Sequence, residues 1–92
     1  MLTLKTTSKF RKDYKRMKSQ GKDMALLEEV IDTLLQEKTL DAKYRDHPLS
    51  GKYIGFRECH ILSDWLLIYA ISRDQLLLTV SRTGTHSDLF DE

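Results

Sequence analysis

The sequence predicts an α+β domain: a small antiparallel β-sheet with an N-terminal strand and a two-helix hairpin packed on one face. Three observations predict it. Residues 2–6 alternate with the period of a strand. Two apolar stripes at helical spacing follow before residue 36. Three strand-like runs, parted by short turns, fill the second half. No repeat or flexible linker breaks the order strand, helix, helix, strand, strand, strand, so residues 1–92 read as a single domain.

Leu2 and Leu4 alternate with Thr3 and Lys5 in the first strand. Ser8 suits the N-cap of the first helix, whose Phe10, Tyr14 and Met17 share a face. Gly21 suits its C-terminal cap, and Asp23 can cap the second helix. There Leu27, Val30, Ile31, Leu34 and Leu35 form the apolar stripe, with Glu28, Glu29 and Asp32 on the wet side. Residues 39–49 have no clear period, but Pro48 pushes His47 toward an extended conformation. Ser50-Gly51 and Gly55 mark turns or bulges. Residues 55–69 read as two strands folded around Leu62-Ser63-Asp64. The second, 65–71, is nearly continuous apolar and belongs in the middle of the sheet. Residues 72–75 make a turn and 76–81 a third strand. The tail closes with Leu89 and Phe90, then the acidic pair Asp91 and Glu92.

The composition, 40% hydrophobic and 32% charged, suits a soluble globular chain with a modest core. A single cysteine, Cys59, excludes an intramolecular disulfide and fits a reducing, cytoplasmic setting. No apolar N-terminal run resembles a signal peptide, and no run is long enough to span a membrane. The net charge of +1 hides an asymmetry. Residues 1–22 hold eight cations (Lys5, Lys9, Arg11, Lys12, Lys15, Arg16, Lys18, Lys22) against one acid, Asp13. Residues 23–42 reverse the balance, with Lys38 the one cation. Either the first helix faces a polyanion, or two solvated faces of opposite sign attract across the hairpin.

The three histidines all fall near predicted loops or strand ends, where a sheet can present them. His47 precedes a proline, His60 ends a strand and His86 follows Arg82-Thr83-Gly84-Thr85. Imidazole titrates near neutral pH, so such groups can serve as general base and general acid. An arginine can stabilise developing negative charge. The inventory suits cleavage of RNA by its own 2′-hydroxyl, with no metal or other cofactor. Zinc binding is the competing reading, but no His-Glu-x-x-His or paired cysteine spacing supports it. Unconnected surface histidines are another. Alternation places Cys59 opposite His60, in the core. Trp65 and Phe90 have faces for stacking on bases, though packing explains such residues equally well.

Four blocks together resemble the YafQ-type toxins of the RelE/ParE superfamily. They are Asp46-His47-Pro48-Leu49-x-Gly51, Gly55-x-Arg57-Glu58-Cys59-His60-Ile61, Asp64-Trp65-Leu66-Leu67-Ile68-Tyr69, and Arg82-Thr83-Gly84-Thr85-His86-Ser87-x-Leu89-Phe90. Ser63 stands where the pattern leads one to expect proline. The resemblance implies a RelE-like microbial RNase fold and the toxin of a type II toxin–antitoxin pair. It implies a ribosome-dependent endoribonuclease that cuts mRNA in the A site of the 70S ribosome without a metal. It also implies a cognate, DinJ-like antitoxin.

Carried over by position, the resemblance makes His47, His60, Asp64 and His86 the catalytic residues. Arg82 and Phe90 match positions of phosphate and substrate contact, and Trp65 and Glu58 lie in matching motif positions. His86 is expected as acid or base at the scissile phosphate, with Asp64 and His60 as the proton-transfer partners or as the groups that position them. Arg82 is expected to neutralise the phosphorane, and His47 to contact phosphate or orient the 2′-hydroxyl. The basic helix then acquires ribosomal RNA as its polyanion, through Lys9, Arg11, Lys12, Lys15, Arg16 and Lys18. A ParE-like, non-catalytic inhibitor or binding module of the same fold is the alternative.

Overall fold

Strands β1 (Thr3–Thr6), β2 (His47–Pro48), β3 (Arg57–Leu62), β4 (Trp65–Ser72) and β5 (Leu77–Gly84) form one five-stranded sheet in the order β1-β5-β4-β3-β2. Three neighbouring pairs are antiparallel, β3–β4 and β4–β5 as predicted and β2–β3 in addition, while β1 runs parallel to β5, pairing Thr3 with Leu77 through Thr6 with Val80. The long crossover between them supplies the helices α1 (Ser8–Ser19) and α2 (Met24–Leu35), and a short helix α3 (His86–Phe90) follows β5. These coordinates are a computed structural model that describes residues 1–90; the acidic pair Asp91 and Glu92 lies outside the described residues.

The helix boundaries follow local chemistry. Thr7, not Ser8, is the N-cap of α1: its backbone is extended and its hydroxyl accepts from Phe10 N, while Ser8 is already helical. At the other end Gly21 takes the left-handed position, with φ +80°. Gly21 N donates to Lys18 O and Lys22 N to Met17 O, which closes the last turn of the helix. Asp23 caps α2 by accepting from Ala25 N.

Two cores lie back to back across β4. Trp65, Leu67 and Tyr69 face the helices and pack with Met17, Leu27, Val30, Leu34, Cys59, Leu78 and Val80. Leu66 and Ile68 face the other way, against Leu89, with Leu49, Tyr53, Phe56 and Phe90 at the margin. A strand covered on both sides has no polar positions, which explains its continuous apolar sequence. A bulge on β5 matters more for function. Ile68 pairs with Arg82 but Tyr69 pairs with Val80, so Ser81 is the extra residue. The bulge puts Arg82 in register with Ile68, within reach of Asp13 on α1.

Candidate active site on the helix-free face

Pairing in register brings the histidines together. His47 lies opposite Glu58, Glu58 opposite Ile68, and His60 opposite Leu66, so all three polar groups emerge on the helix-free face. His86 begins α3, just beyond the end of β5. The imidazoles form a row, with centroids 6.2 Å apart for His47–His60 and 5.8 Å for His60–His86. Phe90 continues it 6.5 Å from His86, and Tyr53 stands edge-on to Phe90 at 5.8 Å. Arg82 lies on β5, two strands from His60 and paired with Ile68.

Asp64 fixes His86 from the β3–β4 turn. One oxygen, Oδ1, accepts from the backbone N of His86 at 3.0 Å and stands 2.7 Å from its ring Nδ1. A carboxylate there selects the tautomer with the proton on Nδ1. The same backbone donation, then the ring contact, holds the Asp64 carboxyl below its ordinary pKa. The turn keeps this geometry with Ser63 in place of proline, and Ser63 O lies 3.4 Å from Nδ1 of His60.

His47 is bound at both nitrogens. Its Nδ1 is 2.8 Å from Arg45 O and must donate, because a carbonyl only accepts. Its Nε2 is 2.9 Å from Oε2 of Glu58, and a hydrogen bond there needs a proton between them. Glu58 is buried, and its other oxygen, Oε1, has no partner. Ligand atoms of His47, Glu58 and His60 lie within 4.8 Å of one another. Those three groups can accept a transition metal ion in place of the shared proton, a possibility hidden by their scattered sequence positions.

Several expected residues play other parts. Trp65 is 1% exposed and its indole N–H is donated to Thr83 Oγ1, so it is a core residue with no face for a substrate. Arg16 is turned inward, onto Asp13 at 3.1 Å and toward Asp88 at 3.5 Å, which withdraws it from the basic surface. Lys9, Arg11, Lys12, Lys15 and Lys18 are exposed. Among the described residues no ion pair joins these cations to the acids of α2; the link between the helices is Tyr14 OH to Glu28 at 2.8 Å. Cys59 is fully buried, and burial pushes its thiol up to about 12, far from a nucleophile's range.

Sequence reasoning passed over Glu58 as the partner of His47, and Asp13 as the partner of Arg82. Asp13 is 2% exposed and accepts from Arg82 Nε at 2.7 Å. Its position between Phe10 and Met17, on the apolar stripe of a basic helix, was the available signal. A cleft of about 420 Å³ adjoins His60, lined by Leu26, Tyr44, Ile61 and Leu62 with Lys43 and Arg45. Asp46 anchors the segment leading to His47, accepting from Tyr69 OH at 2.5 Å and from Arg57.

The comparisons with known proteins agree with this architecture. The chain is 42% identical over 86 residues to the mRNA interferase toxin YafQ of Escherichia coli (strain K12), covering 91% of this chain and 90% of that one. A metal-bound toxin from Helicobacter pylori superposes with a TM-score of 0.92 at 46% identity, over 98% of this chain and 100% of that one. The toxin of the E. coli DinJ–YafQ complex superposes with a TM-score of 0.90 at 36% identity, over 98% and 99%. The sequence model for the bacterial toxin of type II toxin–antitoxin systems, YafQ, matches residues 2–91. The chain therefore belongs to the YafQ family of bacterial toxins of type II toxin–antitoxin systems.

Proposed function

We propose that the protein is an mRNA interferase: an endoribonuclease that cuts mRNA in the ribosomal A site and is neutralised by a DinJ-like antitoxin. The observation that carries the reading is the row of three imidazoles on one sheet face, with His86 oriented by Asp64 and Arg82 alongside. A set of this kind is what 2′-hydroxyl attack requires, and a pure binder has no need of it. The names of the E. coli relatives, an mRNA interferase and a partner of DinJ, support the same reading.

In the proposed reaction a base removes the 2′-hydroxyl proton and the oxygen attacks the adjacent phosphorus. Arg82 offsets the charge of the phosphorane, and His47 contacts the phosphate or orients the 2′-hydroxyl. An acid then protonates the departing 5′-oxygen, leaving a 2′,3′-cyclic phosphate and a 5′-hydroxyl. Nε2 of His86 and the ring of His60 are the two proton-transfer groups. Phe90, at the end of the row, offers a face to a base beside the scissile phosphate. No step needs a metal. Exposed cations of α1 hold ribosomal RNA through phosphate contacts, which places the activity in the cytoplasm.

The test is translation of a defined mRNA in a purified system, with cleavage mapped by primer extension. Wild-type protein cuts the message in the A site, and His86→Ala abolishes cutting. Arrest without cleavage would sink the nuclease reading. Loss of cleavage on adding a chelator would overturn the metal-free mechanism and direct attention to His47, Glu58 and His60.

A further inference from the structure

Strand β1 ends at Thr6, opposite Val80, so the last part of β5 has no neighbouring strand on that edge. Helix α1 takes the strand's place. Thr7 Oγ1 donates to Ser81 O at 2.7 Å, and Thr83 N donates to Asp13 Oδ2 at 3.1 Å. Asp13 accepts three further hydrogen bonds: from Arg82 Nε at 2.7 Å, Arg82 Nη2 at 3.1 Å and Arg16 Nη2 at 3.1 Å. The one acid of the basic segment is thus buried under two arginines and an edge amide.

A guanidinium has two edges that can grip an oxyanion. The Nε/Nη2 edge of Arg82 is filled by Asp13. Arg82 is also within hydrogen-bonding reach of the Tyr53 hydroxyl. A long side chain at a bulge would otherwise sample several rotamers, and the fork removes that freedom before any ligand arrives. Arg16 extends the network to Asp88, whose Oδ2 accepts from Thr85 N at 3.0 Å just ahead of His86. Gly84 is hemmed in there, since an added Cβ would meet Asp88 Oδ2 at 3.0 Å and Arg16 Nη2 at 3.2 Å.

We propose that Asp13 is the positioning residue for Arg82: it fixes the guanidinium from behind so that it is set to meet the phosphate. The proposal rests on the nuclease reading for its consequence, but not for its geometry. Asp13 acts through Arg82 and touches no substrate.

Two measurements separate the proposal from a merely structural role. In the translation assay Asp13→Asn lowers the cleavage rate at saturating toxin by up to about 100-fold, with the half-saturating concentration unchanged. In an Arg82→Met background the same substitution has no further effect. Equal losses in both backgrounds, or a wild-type rate for Asp13→Asn, would overturn the proposal. The second measurement needs no activity: NMR of the arginine side chains. Arg82 Nε–H in the wild type gives a resolved, exchange-protected signal, which Asp13→Asn abolishes. A fast-exchanging, averaged Arg82 signal in the wild type overturns the proposal even if Asp13→Asn does not fold. If instead the wild type leaves the message uncut while that signal is protected, the nuclease reading falls and the positioning of Arg82 stands.

Discussion

Asp64 joins two segments that the sequence separates by 22 residues, and it does so with a single oxygen on a backbone amide and a ring nitrogen. Its pKa is lowered, so the folded state favours the carboxylate. The sign follows: the pair stabilises the fold at pH values above the ordinary carboxyl range, and the gain is lost as pH falls through the depressed pKa. We expect Asp64→Asn to flatten acid unfolding below about pH 4, followed by circular dichroism. The same variant loses the tautomer control of His86, so cleavage drops at neutral pH. Both expectations fail together if acid unfolding and cleavage match the wild type. His60, Asp64 and His86 were all nameable from motif blocks, and the resemblance set Asp64 beside His86, yet the geometry of their contact was not readable. It depends on the length of β5 and on α3 starting at His86, and five helical residues carry too little periodicity to read.

Helix α1 has two occupations, and they use different sides. Its buried side carries Phe10, Asp13 and Met17, and its outer side carries Lys9, Lys12, Lys15 and Lys18. Reversing those four lysines to glutamate leaves the far-UV spectrum and thermal midpoint near wild type, because none of them forms an ion pair among the described residues. Ribosome cosedimentation at physiological salt weakens, and the salt dependence of binding becomes shallower as phosphate contacts are lost. Unchanged cosedimentation would return the helix to a solvated face. The amphipathic pattern of α1 and α2 was plain in the sequence. The split of its cations was not, since Arg16 is drawn inward only by Asp13 and Asp88, one of them across the fold. Strand β2 was equally hidden. Two residues cannot show alternation, and Pro48 indicated only an extended backbone. That strand nonetheless brings His47 to Glu58.

Taken whole, the sheet was readable because β4 announces itself as a doubly covered strand, and the turns around it are short. The parallel partnership of β1 with β5 was not, since pairing at that separation leaves no local mark. It also governs when the molecule can exist. Thr3 has no strand partner until Leu77 is available, and α1 has no edge to cover until residues 81–83 are available. Contacts of such long sequence separation form late. On a stalled ribosome, a nascent chain with only residues 1–76 outside the exit tunnel should remain protease-sensitive. One extended by a linker until residue 90 has emerged should become resistant. Early resistance would show that β1 and the helices find another partner first. If synthesis follows this order, the cell making the proposed nuclease is shielded from it until β5 has emerged. Arg82 lies on the strand that closes the sheet, and His86 follows that strand in α3. The surface offered to the proposed antitoxin is then finished at the moment the candidate site first assembles.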